Sequence, residues 1–262
     1  MRTHLQRLVL LAGSLLLFLW LQTTPPGLLG KADAVGYAVC HRIDVRSFHL
    51  GGRAIPLCAR CTGMYAGAML GLLFQAMYAP RHAGMPSKKL WPPLAALSLA
   101  FAVDGTNSYL HFFPGAPGLY QPNNTLRLLT GTGVGLVMAA FVYPAFQQSL
   151  WKTQRPDPVL KGYRTLGTLL LLAMFLDLLI LSENPLILYP LALLSAAGVL
   201  VLLSMVYGML WVMLWRIENR VERAAQLLPP LLVGLVFALL QIAVLDFLRY
   251  RLTGTWDGFH LG

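Results

Sequence analysis

The chain has 262 residues, of which 57% are hydrophobic and 11% are charged, and its formal net charge at pH 7 is +10. Soluble domains carry about 25% charged residues, so this composition excludes an ordinary water-soluble protein and predicts an all-α, polytopic transmembrane helical bundle with short loops. The basic residues lie mainly in the gaps between apolar segments, which is typical of membrane orientation signals, and we expect membrane lipid and no nucleic acid as a partner.

Seven apolar segments are long enough to cross a bilayer core as helices. They lie at about 8–23, 58–79, 91–113, 126–148, 165–183, 186–214 and 228–249. They divide the chain into an N-terminal signal-anchor span with its linker (1–34), a core three-span domain (35–148) and an additional three-span region (149–262). The first span follows a short basic head, so a cleaved signal peptide is the alternative to a retained anchor.

Lysine and arginine residues predict the orientation of these spans. If the N-terminus is cytoplasmic, the gaps 80–90, 149–164 and 215–227 are cytoplasmic too, and twelve of the twenty Lys and Arg residues lie on that side. The sequence therefore predicts a multi-pass protein of the cell membrane with an extracytoplasmic segment at 35–57. An even number of spans or an inverted chain would reverse this assignment.

All three cysteines of the chain lie between residues 40 and 61, next to two histidines. The Cys-x-x-Cys spacing suits one metal ion, and zinc prefers four nitrogen or sulfur ligands. The predicted zinc ligands are Cys40, His41, Cys58 and Cys61, with His49 and His111 as alternates. Two other interpretations stay open. One is thiol-redox chemistry at the Cys58–Cys61 pair, which an extracytoplasmic helix N-terminus favours. The other is a structural disulfide from Cys40 to Cys58 or Cys61.

Polar residues at the ends of spans three and four are predicted to join this segment. Asp104, Asn107, Ser108 and His111 share one helical face by their spacing, and the short loop 114–125 makes the two spans antiparallel neighbours. Asp104 and Arg127 are the candidate catalytic residues, with an ion pair between them or a solvated helix end as alternatives. The predicted polar lining of the site is Ser47, Thr62, Asn107, Asn124 and Thr130.

Arginine is enriched in the same segment, where four arginines lie within nineteen residues. The guanidinium fork is the preferred partner of phosphate and carboxylate groups, so the site is predicted to bind an anionic or lipid-phosphate ligand. The alternative is a solvated run that contacts lipid headgroups. The predicted anion-binding residues are Arg42, Arg46, Arg53, Arg60 and Arg127.

Three motifs occur in a recognisable order: Cys40 to Tyr65, Asp104-Gly105, and Asn124 to Gly131. Over about residues 35–148 the chain resembles an uncharacterised prokaryotic family of integral membrane proteins, catalogued as domain of unknown function 2085. The resemblance implies a shared polar site and brings no established activity. The sequence leaves open whether the protein is an enzyme or a non-catalytic accessory subunit that binds partner membrane subunits.

Overall fold

The computed structural model describes residues 2–113, 115 and 118–259. Outside the described residues lie three positions of the predicted loop 114–125, namely 114, 116 and 117. The same holds for residue 1 of the predicted region 1–34 and for residues 260–262 of the predicted region 149–262. The helices are α1 (Arg2–Thr23), α2 (Gly27–Val39), α3 (Ala59–Tyr78), α4 (Trp91–Leu110), α5 (Asn124–Leu150), α6 (Tyr163–Leu181), α7 (Pro185–Leu214) and α8 (Leu228–Thr253). Two antiparallel strands, β1 (His49–Leu50) and β2 (Arg53–Ala54), form a hairpin, and two parallel strands, β3 (His82–Gly84) and β4 (Arg155–Pro158), pair elsewhere.

The prediction of an all-α membrane bundle is confirmed. Each of the seven predicted spans is a helix of 19 to 30 residues, and α2 is an additional helix that the hydropathy pattern did not predict. Within the described part of the chain, five helices are long and apolar enough to cross a membrane by length and composition, namely α1, α5, α6, α7 and α8. Helices α3 and α4 have 20 residues each and are not among these five, and several of their polar side chains belong to the predicted site.

Small residues allow α3 and α5 to pack backbone against backbone. A Cβ atom at Gly63 would overlap the carbonyl oxygen of Leu128, and a Cβ atom at Gly71 would overlap the side chain of Ala139. Because both contacts advance in the same direction along the two helices, α3 and α5 run parallel. Their N-termini therefore lie side by side at one end of the bundle.

The connections gather at two opposite ends of the bundle. At the end that carries the cysteines, the backbone N–H of His49 donates to Glu183 after α6, and the N–H of Phe259 after α8 donates to the carbonyl of His41. At the other end, β3 pairs with β4 and the N–H of Asn219 donates to the carbonyl of Ser149. The three loops rich in lysine and arginine thus lie at the end opposite to the cysteines.

Candidate functional site

The three cysteines converge at the start of α3. Cys40 directly follows α2, Cys58 is the N-cap residue of α3, and Cys61 lies in its first turn. The three sulfur atoms lie within 4.8 Å of one another, and the backbone N–H of Cys58 donates to the Cys40 sulfur at 3.3 Å. All three thiols are free, and Cys40 and Cys58 are buried. Residues that are far apart in the sequence thereby form a compact group of soft ligands.

The surroundings of Cys40 favour its thiolate form. Hydrogen bonds from the Cys58 side chain, and next from Cys61, hold the pKa of the Cys40 thiol well below its usual value, although burial opposes them. Zn–S bonds of about 2.3 Å in a tetrahedral site place sulfur atoms about 3.8 Å apart. The triad would have to contract by at most about 1 Å to hold a zinc ion, so its donor set and its spacing fit one.

The three candidate histidines lie around the triad in different hydrogen bonds. The Nδ1 atom of His41 accepts the N–H of Ile43 at 3.0 Å, the His49 ring pairs with Asp44 at 3.1 Å, and His111 Nδ1 contacts the Asn107 carbonyl at 2.8 Å. In the described parts of the chain, the group of ligand atoms within 4.8 Å of one another comprises the three sulfurs and no histidine. The identity of a fourth ligand stays a prediction.

His41 is held in its neutral form. Burial lowers the pKa of its imidazole, and the positive charges of Arg46, Arg60 and Arg127 lower it further, although Cys40 has the opposite effect. Neutral imidazole is the form that can bind a metal. The same charges show that three arginines from different chain segments surround this position.

Asp104 forms a buried ion pair with Arg60. The carboxylate is 1% exposed, and the Nε atom of Arg60 donates to its Oδ2 atom at 3.1 Å while an Nη atom makes a second contact. The Tyr120 hydroxyl donates to Oδ1 at 2.8 Å, and Arg60 also donates to the Ser108 hydroxyl at 2.9 Å. The carboxylate thus pairs with Arg60 instead of the Arg127 partner considered from the sequence, because Arg60 projects from the first turn of α3 towards the end of α4.

Arg46, Arg60 and Arg127 form what we call the arginine cluster. Arg46 donates to the carbonyl of Ser108 at 3.3 Å, so it meets Arg60 at the same residue. Arg127 is 6% exposed and donates through Nη1 to Asn124 at 2.8 Å. Burial, and next the neighbouring charge of Arg60, lower the pKa of Arg46, which indicates how closely the cations are packed.

Arg42 and Arg53 belong to a separate group. Arg42 donates to the Asp33 carboxylate on α2 at 2.8 Å, and Arg53 from the hairpin pairs with the same carboxylate. Arg53 is half-exposed, whereas Asp33 is buried. The five arginines predicted to bind one anion are therefore divided by the structure into a pair that fastens the hairpin to α2 and the arginine cluster.

Most of the predicted polar lining holds the backbone around the cluster. Asn107 accepts the N–H of Leu119 at 2.7 Å and donates to the carbonyl of Tyr120 at 2.9 Å, which fixes the loop that delivers the Tyr120 hydroxyl. The hydroxyl groups of Ser47, Thr62 and Thr130 donate to backbone carbonyls of their own segments.

Arg249 on α8 contacts the backbone around Cys40, and the sequence did not predict this contact. Its guanidinium donates to the carbonyls of Tyr37 and Cys40 at 2.6 Å each and to the carbonyl of His41 at 3.2 Å. An arginine in the last turns of an apolar span is usually an interface anchor, and no spacing relates residue 249 to residue 40. The position of the Cys40–His41 backbone therefore depends on a helix far along the chain.

The comparisons with known proteins match the part of the chain that contains these residues. The family described as "Predicted membrane protein (DUF2085)" matches residues 40–141, which contain the cysteine triad and the arginine cluster. An uncharacterized protein of Methanocaldococcus jannaschii is 31% identical over 120 residues, which is 45% of this chain and 70% of that protein. An uncharacterized protein of Methanothermobacter thermautotrophicus is 30% identical over 101 residues, which is 38% of this chain and 81% of that protein. No solved structure matches the chain. The chain therefore belongs to this family of predicted membrane proteins, domain of unknown function 2085.

Proposed function

We propose that this multi-pass membrane protein binds one zinc ion through Cys40, Cys58 and Cys61. The observation that supports the proposal is the convergence of three free thiols, brought together from the end of α2 and the start of α3, within 4.8 Å of one another. Thiolates are the ligands that zinc prefers in structural sites. The hydrogen bonds from Cys58 and Cys61 lower the pKa of the Cys40 thiol and so favour one of these thiolates.

The proposed ion would stabilise the segment between α2 and α3. This segment carries a hairpin with two residues in each strand, and short isolated hairpins are at best marginally stable. A metal that bridges the two sides of such a segment adds its binding free energy to folding. The proposed role of the ion is thus to hold residues 40–58 against the start of α3, beside the arginine cluster.

His41 is the proposed fourth ligand, and it would have to exchange one hydrogen bond to become one. Neutral imidazole has a single N–H, and the Nδ1 atom of His41 accepts the Ile43 N–H. Ligation through Nε2 would place the proton on Nδ1 and break that contact. Zinc content in a His41→Ala variant distinguishes a histidine ligand from water as the fourth ligand.

Elemental analysis of the purified full-length protein tests the proposal. We expect close to one zinc per chain, and we expect the Cys58→Ser, Cys61→Ser double variant to lose it because two of three thiolates are removed. The His49→Ala variant is the matched control, because this ring lies in the same segment but pairs with Asp44. Folded wild-type protein that carries no metal, and that zinc does not stabilise, would refute the proposal.

Thiol-redox chemistry is the second candidate, and the low pKa of Cys40 beside two free thiols favours it. A redox pair would be found partly as a disulfide in protein isolated without reductant. Mass mapping of alkylated peptides, with and without reductant, separates the two candidates. A disulfide that forms and is reduced reversibly in zinc-free, folded protein supports the redox function and excludes a permanent zinc site.

We also propose that the N-terminus is cytoplasmic, so that the site faces the extracytoplasmic side. The position of the three basic loops at the opposite end of the bundle supports this orientation. Reporter fusions in the loops 80–90 and 149–164 test this orientation.

We propose further that the protein, if it works without partner subunits, binds an anionic or lipid-phosphate ligand on which Asp104 and Arg127 act. Stable co-purification of other membrane subunits would instead favour the accessory-subunit function.

A further inference from the structure

The arginine cluster holds more positive charge than its neighbours neutralise. Arg60 forms a salt bridge with Asp104, whereas Arg46 and Arg127 form none with any described residue. Arg127 is buried, with only 6% of its surface exposed. A buried charge without a partner is destabilising because it loses its hydration, so a cluster of this kind is expected to hold a counter-ion.

The hydrogen-bonding state of Arg127 points to a ligand. A guanidinium has five N–H groups, and the hydrogen bond that Arg127 makes among the described residues goes through Nη1 to Asn124. Its buried Nε atom has no hydrogen-bond partner within the described parts of the chain. Donors in this fork geometry match the oxygen atoms of phosphate groups.

The surrounding backbone adds to the positive potential. Helices α3 and α5 run parallel, so the positive ends of both helix dipoles lie at the same end of the bundle as the cluster. Arg60 is in the first turn of α3 and Arg127 is in the first turn of α5. Helix N-termini are established binding sites for phosphate and related anions.

We propose that the arginine cluster binds a phosphate group, through Arg46 and Arg127 directly and through Arg60 as oriented by Asp104. The oxygen atoms of a phosphate group are arranged tetrahedrally and can accept hydrogen bonds from arginines that approach from three directions, whereas the two oxygens of a carboxylate lie in one plane. The phosphate is either free or part of a lipid headgroup. This inference rests on the proposed function for the location of the site at a membrane surface, and it does not require the zinc ion.

Phosphate binding to the full-length protein tests the proposal. Equilibrium dialysis with radiolabelled inorganic phosphate is done first on lipid-free protein in maltoside detergent, which contains no phosphate, and measures the affinity for the free anion. Mass spectrometry of retained lipids, in nanodiscs that contain phosphatidylcholine and phosphatidylglycerol, measures a preference for anionic headgroups. We expect Arg127→Ala and Arg46→Ala each to weaken binding at least about tenfold, because each removes charge-assisted hydrogen bonds. Arg53→Ala is the control, because Arg53 is half-exposed and pairs with Asp33.

The outcomes separate the ligand sources and the two proposals. Phosphate binding without lipid retention assigns the site to the free anion, and retention that inorganic phosphate displaces assigns it to a headgroup. Zinc content is measured on the same samples, so wild-type protein that binds phosphate but contains no zinc contradicts the zinc proposal alone. The phosphate proposal is refuted if folded Arg46→Ala and Arg127→Ala proteins bind both probes as the wild type does, or if the wild type binds neither.

Discussion

Replacing Asp104 with alanine leaves the Arg60 guanidinium in a buried position without its carboxylate. Asp104 is 1% exposed and the Arg60 side chain is 16% exposed, so water cannot replace the lost partner well. Removing one member of a buried ion pair costs about 3–5 kcal/mol because the other charge is left uncompensated. The Tyr120 hydroxyl also loses its acceptor. We therefore expect Asp104→Ala to lower the free energy of unfolding by about 3–5 kcal/mol.

Asp44→Ala is the matched control for this variant. The Asp44 side chain is 76% exposed and pairs with a half-exposed histidine, and exposed pairs of this kind contribute about 0–1 kcal/mol. Equilibrium unfolding in mixed micelles with increasing SDS, followed by tryptophan fluorescence, measures both variants. The difference between the two expected values is large enough to resolve.

A double-mutant cycle with Arg60→Met isolates the interaction itself. The methionine removes the orphaned charge and keeps an apolar stem, so the Asp104→Ala, Arg60→Met protein should recover a coupling energy of about 1–3 kcal/mol. The reasoning is refuted if Asp104→Ala costs less than 1 kcal/mol, or if the effects of the two substitutions are additive.

Three further outcomes are expected. Arg249→Ala should speed the loss of zinc to a chelator at least about tenfold, because the carbonyl contacts that position Cys40 disappear; the exposed Arg251→Ala variant is its control. Gly131→Val should destabilise the protein by at least about 1–3 kcal/mol in the same unfolding assay, because a side chain would enter the α3 backbone. Gly105→Ala should be neutral, since a Cβ atom there meets no described atom within 4 Å. Chelation should lower the melting temperature, with recovery by Zn²⁺ and not by Mg²⁺.

Hydropathy was sufficient to predict the long apolar helices. Length and apolar composition are local properties, so the seven spans could be predicted to within a few residues of the observed helices. The four-residue spacing of the glycines at 63, 67 and 71 and at 131 and 135 is typical of closely packed membrane helices, and the structure shows such an approach at Gly63. The sequence places Cys58 and Cys61 at the start of α3, whereas the approach of Cys40 depends on α2, which hydropathy did not predict.

The partners within the site could not be predicted, because they depend on how helices are rotated against one another. Periodicity shows that Asp104, Asn107 and Ser108 share one face of α4, and all three are buried. It does not show whether that face meets Arg60 on α3 or Arg127 on α5. The division of the loop arginines between Asp33 and the cluster has no periodic signal at all, because residues 42–53 form a turn and a hairpin.

The site combines side chains from the family-matched region with backbone support from outside it. The triad and the arginine cluster lie within residues 40–141, whereas the carbonyls of Cys40 and His41 are held by Arg249 and by the N–H of Phe259. Backbone contacts fix where a ligand group sits and do not choose which ion it binds. If the triad holds the proposed zinc ion, substitutions in α8 should therefore change how tightly the ion is held and leave the choice of metal intact, whereas substitutions in the triad should abolish binding.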